Sequence, residues 1–310
     1  MIKVLLFFTL FTLFAASASA QECGMSRAFM QPDADARGGA TAVWADQNNS
    51  ALFFAEALNV NTDGTRRSYS VTDFWGQNTA INNLCNAMSD ACAELGSDGL
   101  KNRRILTQRA FAAGWPPEQL RQTKISPDIL PFKNGKPCPP VDGFLVSATT
   151  LHKPNVQDIC DITNYVDALE VAAIVLPRNP RNGSSGFGVR NARVGDLVVV
   201  MTPDVATPVY AVVGDLGPVN RLGEGTVALA ARLLGKTTPP QNYDEIRGRG
   251  RFAGRGWTVS RALVLVFPAT RNTLEPFMTT ARIDEAARRK FEDWGGVTRF
   301  TACAREYGVR

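Results

Sequence analysis

Histidine is almost absent: His152 stands alone in 310 residues. A Ser-His-Asp triad would have to use it, and no nucleophile-elbow pattern surrounds the neighbouring Ser147. Catalytic zinc normally takes two or three histidines, so zinc hydrolysis is a poor fit. The phosphate-binding and dinucleotide glycine motifs are missing too. Gly183-Ser184-Ser185-Gly186-Phe187-Gly188 is glycine-rich but lacks the following lysine, and it reads as part of a loop over 178–188. No cysteine pair has the CxxC spacing of a metal or redox site. There is no internal repeat and no low-complexity tract. Beyond the N-terminus no run approaches the roughly 18 apolar residues of a membrane span.

Turning to what is there, Lys3, the apolar run Val4 to Ala16 and the small residues Ala18-Ser19-Ala20 have the form of a secretory signal. Residues 1–20 are therefore set apart from the mature fold, and the expected location is outside the cytoplasm, periplasmic or extracellular. Six cysteines (Cys23, Cys85, Cys92, Cys138, Cys160 and Cys303) point to disulfides in an exported chain, with the pairing left open. The formal charge is 34 − 29 = +5, or 33 − 29 = +4 without Lys3. Such a modest excess reads as solubility charge, with a bias towards anionic surfaces or polymers. Hydrophobic residues make up 45% of the chain, enough for a sizeable core.

The apolar periodicity predicts a strand over 51–60, followed by the turn Thr62-Asp63-Gly64. It predicts a helix over 78–95 through Ile81, Leu84, Met88 and Cys92. A continuous helix there would hold Cys85 and Cys92 two turns apart, too far to bond each other. Residues 96–140 read as irregular, broken at Trp115-Pro116-Pro117. Strands are expected over 143–150 and 171–176, and a hairpin from 197–201 and 209–213. A helix follows, capped by Thr226 and stopped by Gly235. A last strand over 261–267 precedes a closing helix carrying Ile283, Ala287, Phe291 and Trp294. Short strands mixed with helices, without strict alternation, predict an α+β domain with a compact β-barrel core and peripheral helices. One domain over 21–310 is expected, with an N-terminal portion over 21–140 and a catalytic core over 141–310.

With histidine chemistry set aside, carboxylates lead. Asp215 ends an apolar run at Val212-Val213-Gly214, and Glu224 lies nine residues on, between Gly223 and Gly225, just before a helix. Two acids on rigid elements can divide proton donation and water activation in glycoside hydrolysis. One of them must then hold its proton at mild pH, which burial or a neighbouring carboxylate can arrange. The residues alone leave a second reading open: a solvated turn with an acid favoured by the helix N-terminus.

The run from Tyr210 to Leu234 resembles the signature of glycoside hydrolase family 75, the fungal-type chitosanases. In both, an apolar strand ends in Asp, and a Gly-Glu pair nine residues on precedes a Ser- or Thr-led helix. Similar counterparts are Gly143 to Thr149, Tyr165-Val166-Asp167, Ile174 to Pro177, Val194 to Leu197 and Phe291 to Gly296, and Leu52 to Tyr69 resembles the family's acidic strand and Asp-Gly turn. The resemblance implies endo-hydrolysis of β-1,4-linked glucosamine polymers with inversion, without cofactor or metal. Asp215 would be the general base and Glu224 the general acid, with Asp63, Tyr69 and Thr226 as substrate-binding positions. The chain departs from that pattern at Asn59 and Asn61, which stand where acids are usual, and in its basic charge. Both departures point away from fully deacetylated chitosan, towards a partly acetylated or cell-wall glycan.

Trp257 is the leading candidate to stack on a sugar face, with Trp44, Trp75 and Trp115 as further candidates; Trp294 belongs to the core. The arginine-glycine run from Arg247 to Arg255 could suit single-stranded nucleic acid, but export argues for a solvated loop. A monomer acting on a polysaccharide is expected, with no nucleic-acid or membrane partner. By analogy with other barrel glycosidases that place an Asp at a strand end, the barrel would be of the double-psi type. Two rivals remain in view: a cell-wall lytic enzyme relying on one Asp, and a non-catalytic carbohydrate-binding protein.

Overall fold

Val-, Ile- and Leu-rich runs become strands because their branched side chains pack on pleated surfaces. The computed structural model describes residues 22–34, 36, 38–90 and 92–308; the secretory signal expected over 1–20 lies outside them. The elements run β1 (Ser26–Pro32), β2 (Ala40–Ala45), β3 (Leu52–Asn61), α1 (Gly96–Ala112), α2 (Pro117–Thr123), β4 (Phe132–Lys133), β5 (Lys136–Pro137) and β6 (Ala173–Pro177). Then follow α3 (Gly186–Val189), β7 (Leu197–Thr202), β8 (Val205–Gly217), β9 (Glu224–Thr226), α4 (Val227–Leu234), α5 (Tyr243–Ile246), β10 (Val259–Phe267), α6 (Thr280–Trp294) and α7 (Gly296–Cys303).

Six strands close into a barrel in the order β3-β10-β7-β8-β6-β9, with β9 returning to β3. The pairs β3–β9 and β6–β8 are parallel and the rest antiparallel. Exchanging β3 with β8, β6 with β9 and β7 with β10 reproduces every pairing. The barrel thus has an internal two-fold symmetry and is the compact β-barrel core expected. The outer strands β1 and β2 extend the sheet from β3.

Alternation along β7 shows how the barrel is buried on both faces. Val198 and Val200 point into the interior with Phe54, Ile174, Val213 and Val264. Val199 and Met201 point outward, beneath Phe291 of α6 and Phe300 of α7. As expected, Thr226 caps α4 by accepting the Leu229 amide, and Gly235 ends it in a left-handed conformation. The expected closing helix is α6, its Ile283, Ala287, Phe291 and Trp294 all buried.

Three expectations are overturned between β3 and β6. Residues 78–95 are not one helix. The carboxylate of Asp73 takes the backbone amides of Gln77, Asn78, Thr79 and Ala80, which holds the chain in a loop. Only short 3₁₀ turns follow, so Cys85 and Cys92 come within 5.7 Å at their Cα atoms and form a disulfide. The region read as irregular contains α1, a helix of 17 residues. Finally, 143–150 forms no ladder: Leu145 bonds to Tyr69, Ala148 to Ile129, and Thr150 to the carboxylate of Asp215. The loop expected over 178–188 runs into the single helical turn of α3.

All six cysteines are paired, as Cys23–Cys303, Cys85–Cys92 and Cys138–Cys160. Three disulfides suit an oxidising compartment. Among the described residues no helix is long and apolar enough to cross a membrane.

Candidate active site

Asp215 owes its position to one extra residue. Between Val213 and Asp215 the register of β8 on β6 shifts, so Val213 pairs with Ile174 and Asp215 with Val175, leaving Gly214 as a bulge. Without that bulge Asp215 would fall opposite Leu176, which faces the barrel interior. The bulge turns the carboxylate to the outer face instead. Val175 is paired on its other side with Glu224 of β9, and Glu224 with Asn59 of β3. One row therefore crosses four strands as Asp215, Val175, Glu224, Asn59. Asp215 and Glu224 sit two strand spacings apart, about 9.5 Å at Cα, and both line one cleft.

That cleft is open and has a volume of about 790 Å³. Its walls include Asn59, Asn61, Asn82 and Asn86, the acids Asp63, Asp128, Asp215 and Glu224, the arginines Arg178, Arg221 and Arg247, and the aromatics Tyr69 and Tyr243. Three donors converge on Oδ1 of Asp215: the Thr150 amide at 2.9 Å, the Thr150 hydroxyl at 2.5 Å and the Leu216 amide at 2.8 Å. Burial raises the pKa of Asp215 above the ordinary range, against the pull of these donors and of Arg178. Gly223 lets Glu224 enter its strand, because its φ is +89° and a Cβ there would lie 2.3 Å from the Ala57 carbonyl oxygen.

Asp63 is the third acid. Its turn depends on Gly64, where φ is +86° and a Cβ would lie 1.9 Å from the Val166 carbonyl oxygen. The Tyr69 hydroxyl donates to Oδ1 of Asp63 at 2.8 Å, and Asn82 donates to both Tyr69 (3.1 Å) and Thr62 (2.9 Å). Burial first, then the charge of Asp215 and that of Glu224, push Asp63 up to about 8, although the Tyr69 bond opposes this. Asp63 is therefore neutral at pH 7. Asn61 links it to the pair: its side-chain oxygen accepts the Asp63 amide at 2.9 Å while its nitrogen donates to Glu224 Oε2 at 3.3 Å.

The structure thus brings Asp215, Glu224, Asp63 and Tyr69 together. It separates two other expected substrate contacts. Trp257 is 1% exposed, packed in the barrel core with its indole nitrogen donating to Glu245. Thr226 is buried, its hydroxyl spent on Val171, Ala173 and the α4 cap. Neither borders the cleft. Trp44 stacks on Tyr307, Trp75 packs on Phe74 and Trp115 on Phe111, so the cleft's aromatics are tyrosines. Sequence reasoning missed Thr150, Asn82, Arg178 and Tyr243. Thr150, Asn82 and Arg178 come from loops and Tyr243 opens the single turn of α5, and no spacing signal marks them.

No protein-family model matches the chain, and no curated protein is similar to it at a significant level. The functional reading accordingly rests on the site.

Proposed function

We propose that the protein is a secreted, endo-acting glycoside hydrolase that cleaves β-1,4 linkages in a glucosamine-containing polysaccharide with inversion. The observation that carries this reading is the bulge-set row, which aims two carboxylates at one open cleft from strands on either side of Val175. Two strand spacings, about 9.5 Å at Cα, separate the two acids and leave room for a water between them. Inversion needs roughly 6.5–9.5 Å between the carboxyl groups, whereas a covalent, retaining pair needs roughly 5 Å.

Asp215 is the general base in this scheme. Its three donors fill Oδ1 and oppose the upward push of burial on its pKa, leaving Oδ2 to draw a proton from water. Glu224, steadied by Asn61, gives its proton to the departing sugar oxygen. Asp63, neutral at pH 7, adds no third charge to the cleft and presents a donor to a sugar hydroxyl. The disulfides and the N-terminal sequence support export.

The test is reducing-end release from chitosan, chitin and peptidoglycan. Asp215→Asn and Glu224→Gln should each lower kcat by about 10²–10⁴ with the fold intact. Full activity in Glu224→Gln would instead favour a lytic enzyme using one Asp. Polymer binding with no new reducing ends from the wild type would indicate a binding protein.

A further inference from the structure

The carboxylates along the cleft leave a polycation few free partners. A chain of protonated glucosamines needs carboxylates to spare beyond the catalytic pair, because each ammonium must be met by an opposite charge. Besides Asp215 and Glu224 only Asp63 and Asp128 line the cleft. Asp63 is bonded to Tyr69 and is neutral at pH 7. Asp128 already faces Arg178 at 3.9 Å.

Three arginines face these four carboxylates, and the Asp128–Arg178 pair offsets one charge of each sign. Arg178, Arg221 and Arg247 line the same cleft. The exposed guanidinium of Arg247 makes no hydrogen bond or ion pair to any described residue. In the sequence after Arg247 come three more exposed arginines, Arg249, Arg251 and Arg255. Guanidinium groups pair with carboxylates through two parallel hydrogen bonds, a geometry an ammonium-bearing sugar cannot use. The four asparagines suit hydroxyl and acetamido groups, which donate and accept.

We infer that the cleft takes a glycan bearing carboxylate groups, with Arg247 and the arginines that follow it providing the recognition. This rests on the glycosidase reading for its catalytic half but on charge alone for its binding half. It also gives the arginine-glycine run a role: a track for an acidic polymer leaving the site.

Three soluble polymers with the same β-1,4 backbone separate the possibilities: carboxymethyl-chitin (anionic), glycol-chitin (neutral) and chitosan (cationic). Reducing-end release and binding are measured for the wild type on all three. The expected result is kcat/KM and affinity at least tenfold higher on carboxymethyl-chitin than on glycol-chitin, with chitosan last. Raising salt from about 0.05 M to 0.5 M should shrink that ratio, since exposed charges are screened. Arg247→Gln should lower the ratio at least threefold, and Arg247→Lys should restore only part of it. Equal rates and affinities on the three polymers, or a preference for chitosan, would overturn the inference. Tighter binding of carboxymethyl-chitin without cleavage of any polymer would uphold it while rejecting the hydrolase.

Discussion

Asp63 shows how one side chain ties the site to stability. Its carboxyl is held up to about 8 when folded, against an ordinary value of 3.8. Between those values the unfolded chain releases the proton and the folded one keeps it, so stability falls as pH rises through that window. The contribution is full below about 3.8 and gone above about 8. In Asp63→Asn the amide copies the neutral acid and removes the titration. We predict that the Tm of this variant, relative to wild type, climbs steadily from pH 4 to pH 8. A constant difference across that range would show that Asp63 is ionised in the fold. Asp73 behaves oppositely. Burial raises its pKa, but the amides of Ala80, Thr79, Asn78 and Gln77 outweigh burial and hold it below the usual range. Its contribution is therefore present above the ordinary carboxylate pKa and fades as pH falls through its lowered one. Asp73→Ala should destabilise the protein by about 2–4 kcal/mol at pH 7, read by urea unfolding, and by much less at pH 2–3.

Individual elements divide into those that a local pattern writes and those that distant partners impose. The runs that became β3, β6, β7, β8 and β10 are legible because a buried strand is an uninterrupted apolar stretch. Helix α4 is legible from its Thr226 cap and Gly235 stop. The Asp215–Glu224 spacing was legible too, but the bulge at Gly214, which aims Asp215 outward, was not. It exists only in the pairing of β8 with β6. Helix α1 was missed because it begins at Gly96, contains Gly99 and buries only Thr107 and Ala110, so no apolar stripe marks it. The false helix over 78–95 had such a stripe, yet Asp73, outside the window, claims its first amides. Trp257 was misplaced because an indole beside arginines reads as a surface platform, whereas the chain folds it inward. The α4 cap yields a test at this scale. Thr226→Val loses a cap and leaves the Val171 carbonyl and Ala173 amide without their hydroxyl partner, so thermal unfolding should show a loss of about 2–3 kcal/mol.

At the scale of the whole molecule, Cys23–Cys303 joins the start of the described chain to α7 across 280 residues. Both cysteines are fully buried against the outer barrel layer. Cys23→Ser with Cys303→Ser should lower Tm on the order of 5–10 °C, by losing about 2–4 kcal/mol of chain restraint. The cleft opens on the opposite side of β6 from the barrel interior, so its residues should move little, and kcat at 25 °C should change less than twofold. The proposed mechanism needs two carboxylates acting through a water between them. Proton NMR of the freshly released ends, recorded before mutarotation, reads that step directly. Cleavage of a β-linked polymer should first give the α-anomer. A first product in the β configuration would mean a covalent, retaining pathway and would contradict the roles given to Asp215 and Glu224.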